Sequence, residues 1–160
     1  MEKRISPADS YLRYLSSEED TTKNISVQHV PNKGRAVFAD KAIAKGDFVV
    51  EYKGDLLTYN EAKKREKLYE NDMSKGSYMF YFKVNDVTYC LDATEENNTL
   101  GRLINHSKKN YNLKSKTATV NGTPKLFFIA SQDIAPGEEL LVDYGERRRD
   151  VLKENPWLRT

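Results

Sequence analysis

What this chain has little of narrows the field first. It carries one cysteine, Cys90, in 160 residues, which excludes an intramolecular disulfide and any zinc cluster built on several thiolates. Only two histidines occur, His29 and His106, and neither has a second ligand at metal-binding spacing, so no metal is expected. No apolar run approaches the roughly 20 residues of a membrane-spanning helix, and the first residues lack the apolar segment of a secretory signal. A reducing compartment, cytosol or nucleus, and no membrane contact are therefore expected. No glycine-rich phosphate loop precedes a helix, and no nucleophile stands beside a base. A net charge of +2 is too small to imply nucleic-acid binding. The basic runs Lys63-Lys64-Arg65 and Arg147-Arg148-Arg149 read as solvated faces, with a weak contact to DNA as the alternative.

What is abundant is aromatic: ten tyrosines and six phenylalanines. The length fits one domain with a real core. Ser6-Pro7-Ala8-Asp9 is a helix start, with a Ser cap and Pro at the first helical position. Residues 1–24 read as a flanking helix and linker, 25–145 as the main domain and 146–160 as a closing C-terminal segment. Thr58-Tyr59-Asn60-Glu61 is a capping box opening a helix to about Glu70, with Ala62, Arg65, Leu68 and Tyr69 near one face. Alternating stretches around Asn85-Asp86 and Asn121-Gly122 predict two hairpins. Cys90 lies mid-strand in the first of these and reads as a small core residue. Two segments echo each other. Ile43-Ala44-Lys45-Gly46-Asp47 feeds a strand ending in Glu51-Tyr52, and Ile134-Ala135-Pro136-Gly137-Glu138 feeds one ending in Asp143-Tyr144. The fold class is mainly β with short helices, without a βαβ rhythm.

Two further stretches carry the chemistry. The apolar turn Leu100-Gly101-Arg102-Leu103-Ile104 ends in Asn105-His106-Ser107, three polar residues able to bond exposed backbone groups. The strand Glu138-Glu139-Leu140-Leu141-Val142-Asp143-Tyr144 stops at Gly145. Taken singly, these are a helix exit and a packing strand.

Taken together, and in this order, they resemble the paired signature of the SET-domain protein lysine methyltransferases. The likeness spans about 33–158. It is most similar to the branch that methylates lysine 20 of histone H4, on Gly46-Asp47-Phe48-Val49-Val50-Glu51-Tyr52, Ala62-Lys63-Lys64-Arg65-Glu66, Tyr89-Cys90-Leu91-Asp92-Ala93-Thr94, 101–108 and Asn155-Pro156-Trp157-Leu158. The resemblance implies several small sheets around a threaded (pseudoknot) loop. It also implies S-adenosyl-L-methionine as cofactor, S-adenosyl-L-homocysteine as its product, the H4 tail or nucleosome as substrate, a monomer, and a nuclear setting at chromatin. By that likeness Tyr144 orients the amine and supports methyl transfer, and Tyr52 lines the lysine channel. Lys33 and Arg35 lie at the cofactor's carboxylate end, where the family's second Gly is Ala36. Tyr78 sits near the cofactor. Asn105 and His106 meet the adenine through their backbones while the Asn105 side chain faces the cofactor, and Trp157 stacks on or covers the adenine. Rivals are a non-histone lysine methyltransferase and a catalytically weak module that binds a histone tail.

The chemistry suits the composition. A lysine must attack as a neutral amine, and with a pKa of about 10.4 its neutralisation at pH 7 costs about 4.6 kcal/mol. An apolar aromatic channel lowers that cost, and tyrosine hydroxyls accept the amine's hydrogen bonds without a full negative charge. Holding amine and methyl in line contributes up to about 7–11 kcal/mol. The chain departs from the branch at Val142, which replaces a Tyr whose hydroxyl, in the branch, holds a water beside the amine and restricts the product to one methyl. Di- and trimethylation are therefore expected. Asn155 for His and Ser77 for Cys bear on peptide recognition.

Overall fold

The computed structural model of the chain describes residues 11, 12, 14, 15, 24–72 and 78–144. In order these form β1 (Ile25–Val30), β2 (Gly34–Ala39), β3 (Phe48–Glu51), β4 (Asp55–Thr58), helix α1 (Tyr59–Glu70), β5 (Met79–Val84), β6 (Val87–Asp92), a 3-10 turn (Gly101–Leu103), β7 (Asn105–His106), β8 (Leu113–Val120), β9 (Thr123–Ala130) and β10 (Leu141–Val142). Three sheets result, ordered β1-β2, β3-β9-β8-β10-β7 and β4-β6-β5. Among the described residues no helix is long and apolar enough to cross a membrane.

Local chemistry sets the hairpins. Asn85 and Asp86 both take positive φ, as do Asn121 and Gly122. That is the backbone of a two-residue turn whose twist matches its strands. The β5–β6 and β8–β9 registers then run unbroken from those turns. At α1, Thr58 accepts from the Glu61 N–H while the Glu61 side chain accepts from Thr58, the expected box. Its inner face is narrower than the sequence suggested. Ala62 is fully buried, Arg65 and Tyr69 reach Asp92, but Leu68 is 71% exposed. The physical reason is angular: at 100° per residue, position 68 lies well round the helix from 62. Glu66 takes the inward place and accepts from the Tyr81 hydroxyl. Cys90 is buried beside Leu57, Ala62 and Tyr81.

The two echoing segments meet. Ile43 and Ile134 exchange backbone hydrogen bonds of 2.9 and 2.8 Å. Gly46 donates to Ala130 O, whose N–H returns to Asp47 O; Gly137 donates to Ala39 O, whose N–H returns to Glu138 O. Each device thus docks on the hairpin that precedes the other one. β3 pairs with β9, and Phe38 pairs with Glu139. Both glycines sit at φ near +90°, where a side chain would be strained. The result is a local two-fold arrangement in which each half completes the other's sheet.

The threaded loop is also present. β10 lies between β7 and β8 and runs parallel to both, so the late strand passes through the loop 107–112 that joins them. Asn112, 5% exposed, grips it: its Nδ2 donates to Glu139 O, and its Oδ1 and N–H bond both backbone groups of Leu141. Tyr11, Leu12, Tyr14 and Leu15 have helical backbone. Leu15 packs with Phe127 and Ile129 on the outer sheet face, and the Tyr11 hydroxyl donates to Gly46 O. Ser6, Ser77, Gly145 and the closing segment 146–160, with Asn155 and Trp157, lie outside the described residues.

Candidate functional site

The turn and the strand end grip each other at two points. Tyr144, just past β10, donates its hydroxyl to Ile104 O at 2.7 Å. Its N–H donates to His106 Nδ1 at 2.9 Å, which places the imidazole proton of a neutral ring on Nε2. The Asp143 carboxylate stands 3.8 Å from the same Nδ1. Since that nitrogen already accepts a hydrogen bond, the contact is proximity and not an ion pair. Parallel pairing of Leu141 with Asn105 and Val142 with His106 holds the two segments in register.

The same turn lies against the first echoing strand. A Cβ on Gly101 would stand 2.5 Å from Glu51 O and 3.0 Å from Tyr52 Cα, so only glycine permits this approach. Tyr52, 2% exposed, donates its hydroxyl to Tyr78 O at 2.8 Å. That carbonyl also accepts the Ala93 N–H, which occupies both of its lone pairs. The Phe80 ring contacts both phenols, its centroid 5.3 Å from that of Tyr52 and 5.0 Å from that of Tyr144. Burial pushes both hydroxyls well above the ordinary tyrosine range, and each is raised further by a neighbouring phenol, Tyr144 for Tyr52 and Tyr78 for Tyr144. Both stay neutral, as desolvation dictates for an acid.

Arg102, its side chain 2% exposed, organises the opposite wall. Its guanidinium lies 4.1 Å over the Tyr78 ring and donates to Ala93 O and Thr94 O. It also shares the Glu96 carboxylate with Arg35, at 2.9 and 3.0 Å. The Glu96 hydrogen bond raises the Arg35 guanidinium, and the Arg35 hydrogen bond holds Glu96 below the usual carboxylate range. Asn105 Nδ2 donates to Arg35 O and to Glu139, both at 3.1 Å. Lys33 is not free: its ammonium pairs with Glu139. Val142, 2% exposed, belongs to the central core with Tyr52.

Of the residues singled out from the sequence, Tyr52, Tyr78, Asn105, His106 and Tyr144 converge here, with Val142 and Arg35 at the margins. Trp157 lies outside the described residues. Sequence reasoning passed over Phe80, Arg102, Glu96 and Glu139. Arg102 stood inside the segment already singled out, yet nothing in the one-dimensional pattern says that its charge is buried.

Known proteins give a consistent account. A model of the SET domain matches residues 34–145. The chain is similar to N-lysine methyltransferase KMT5A-A of Danio rerio, 51% identical over 133 residues, covering 83% of this chain and 38% of that protein. It is also similar to histone-lysine N-methyltransferase Set8 of Drosophila melanogaster, 46% identical over 140 residues, covering 88% of this chain and 20% of the other. The chain spans a fifth to two fifths of the length of these two relatives. Among solved structures, CpSET8 from Cryptosporidium superposes with a TM-score of 0.72 at 51% identity, over 76% of this chain and 57% of that one. A second structure, of ctPRC2 in an autoinhibited conformation bound to S-adenosylmethionine, gives a TM-score of 0.64 at 30% identity, over 84% of this chain and 17% of that one. With its threaded loop, its paired phenols and these likenesses over most of its length, the chain belongs to the SET-domain family.

Proposed function

We propose that the chain is an S-adenosylmethionine-dependent protein lysine N-methyltransferase acting on lysine 20 of the histone H4 tail. The observation that carries this reading is the pair of buried, neutral phenols of Tyr52 and Tyr144, both packed on Phe80, beside the Asn105-His106 segment. The relatives' names, an N-lysine and a histone-lysine methyltransferase, supply the reaction class and the histone substrate. A nuclear, chromatin-bound setting follows from that substrate, and the nucleosome would bring DNA close to the basic surface.

The residues present fit the cofactor. The exposed Arg35 guanidinium already pairs with one carboxylate, that of Glu96, and its remaining N–H groups are donors of the kind an amino-acid carboxylate needs. Asn105 offers an amide oxygen nearby. Arg35, Tyr78, Asn105 and His106 would hold the cofactor, with Lys33 at the rim and Trp157 as cover. When bound, S-adenosylmethionine supplies a methyl group on a sulfonium. The chain's own part is to exclude water, to favour the uncharged amine in an aromatic slot, and to accept that amine's hydrogen bonds at the Tyr52 and Tyr144 oxygens. Since both hydroxyls donate to backbone carbonyls, their lone pairs face other partners. Val142, smaller than tyrosine, leaves room for an amine that already carries a methyl, so the product is not limited to monomethyl-lysine.

The test is mass spectrometry of an H4 tail peptide incubated with the chain and S-adenosylmethionine. Mass gains of one, two and three methyl groups at lysine 20 are expected. Cofactor binding without any methyl transfer would overturn the catalytic reading, and transfer to another lysine alone would overturn the substrate.

A further inference from the structure

Glu139 has no part in the chemistry above, yet it ties together the two segments that would hold the cofactor. It lies at an isolated bridge to Phe38, with its side chain 17% exposed. One carboxylate oxygen takes the Lys33 ammonium from the β1–β2 turn, and the other takes Nδ2 of Asn105. Asn105 Nδ2 gives its second hydrogen to Arg35 O. Both of these partners, a carboxylate and a backbone carbonyl, can only accept, so the amide has one possible orientation. Nδ2 meets both acceptors, which leaves Oδ1 with no donor among the described residues.

We propose that Glu139 is a positioning residue for cofactor binding: by accepting from Asn105 it fixes the amide so that Oδ1 meets the ammonium of the cofactor's amino-acid end. The inference rests on the methyltransferase reading and adds a residue to it. An ammonium has donors only, so it bonds an amide oxygen and is repelled by an amide NH2. Glu139 therefore decides whether Asn105 attracts or opposes that end of the ligand. Lys33 completes the device by neutralising the carboxylate.

Glu139→Gln changes little in shape and reverses the logic. Lys33 claims the remaining oxygen, so the new amide turns its NH2 toward Asn105. Asn105 then faces a donor on one side and the Arg35 carbonyl on the other, so its amide loses its single orientation and its NH2 comes to face the ligand in part of the population. In titration calorimetry the affinity for S-adenosylmethionine is expected to fall about tenfold, the size of a lost hydrogen bond to a charged group. Affinity for 5′-methylthioadenosine, which lacks the amino-acid end, should change less than about twofold. Glu139→Ala serves as a second variant: with the Arg35 carbonyl still holding the amide, it should show a smaller loss, again selective for S-adenosylmethionine. Partial unfolding lowers the binding stoichiometry but not the ratio of the two affinities, so it does not mimic the effect. Equal losses for both ligands, or no loss for either, would overturn the proposal. If the unsubstituted chain binds neither ligand, the methyltransferase reading falls, and this inference with it.

Discussion

Tyr52 and Tyr144, ninety-two positions apart in the sequence, pack on the same Phe80 ring at 5.3 and 5.0 Å, and each hydroxyl is tied to a backbone carbonyl of another segment. Neither tyrosine is fixed by its own strand alone. Tyr78 O orients the first and Ile104 O the second, so the site's geometry is a property of loops meeting. The expectations below follow from those contacts.

Tyr144→Phe should lower methyl transfer at least a hundredfold, the scale of a lost catalytic group, while calorimetric binding of S-adenosylmethionine changes little. Loss of the hydroxyl leaves Ile104 O short of a donor, at a stability cost of about 1 kcal/mol. Urea unfolding checks that part, and retained activity would reject the role given to Tyr144.

Gly101→Ala should disable the site without removing any polar group. The added methyl meets Glu51 O at 2.5 Å, so the turn must withdraw from Tyr52. A loss of about 2–3 kcal/mol, as for overpacking, is expected by urea unfolding, together with a fall in turnover. A crystal structure of the variant should show the 100–104 turn displaced.

Alkaline pH should destabilise the fold sooner than it ionises the site. Burial holds Tyr52, Tyr81 and Tyr144 above their ordinary value in the folded chain. In the unfolded chain they ionise near pH 10. The folded state then binds more protons than the unfolded one, so stability is full below pH 10 and falls above it. Urea midpoints should be level with respect to these tyrosines up to about pH 9.5 and drop beyond it. Tyrosinate absorbance should lag behind that of the denatured chain.

Val142→Tyr should narrow the product. The position is 2% exposed, so the larger ring must turn toward the amine slot or strain the core, at about 1–3 kcal/mol. Mass spectrometry of the tail peptide should show monomethyl-lysine accumulating at the expense of higher states. An unchanged product distribution would remove Val142 from the account.

Legibility from sequence followed the range of the forces involved. The Asn85-Asp86 and Asn121-Gly122 turns and the Thr58 cap are short-range, and the residues state them outright. The echo between 43–47 and 134–138 was visible, but its meaning was not. That the two isoleucines bond each other depends on the whole fold. β1 and β4 went unforeseen because a four- to six-residue strand takes its identity from its partner. Glu139 was missed for a similar reason: its partners lie 34 and 106 positions away. Its sequence context, one of two adjacent glutamates, reads as a solvated pair.

The exchange of strands between the two halves also bears on how the protein is made. The hairpin β1–β2 acquires its third partner only when residues 139 and 140 arrive. A chain still emerging from the ribosome therefore holds a half-built layer with an unpaired edge until nearly the last of the described residues has been synthesised. Contacts of such long sequence separation slow folding, and an open edge invites pairing with the wrong chain. The growing polypeptide thus carries that open edge through the synthesis of about a hundred further residues, from 40 to 138.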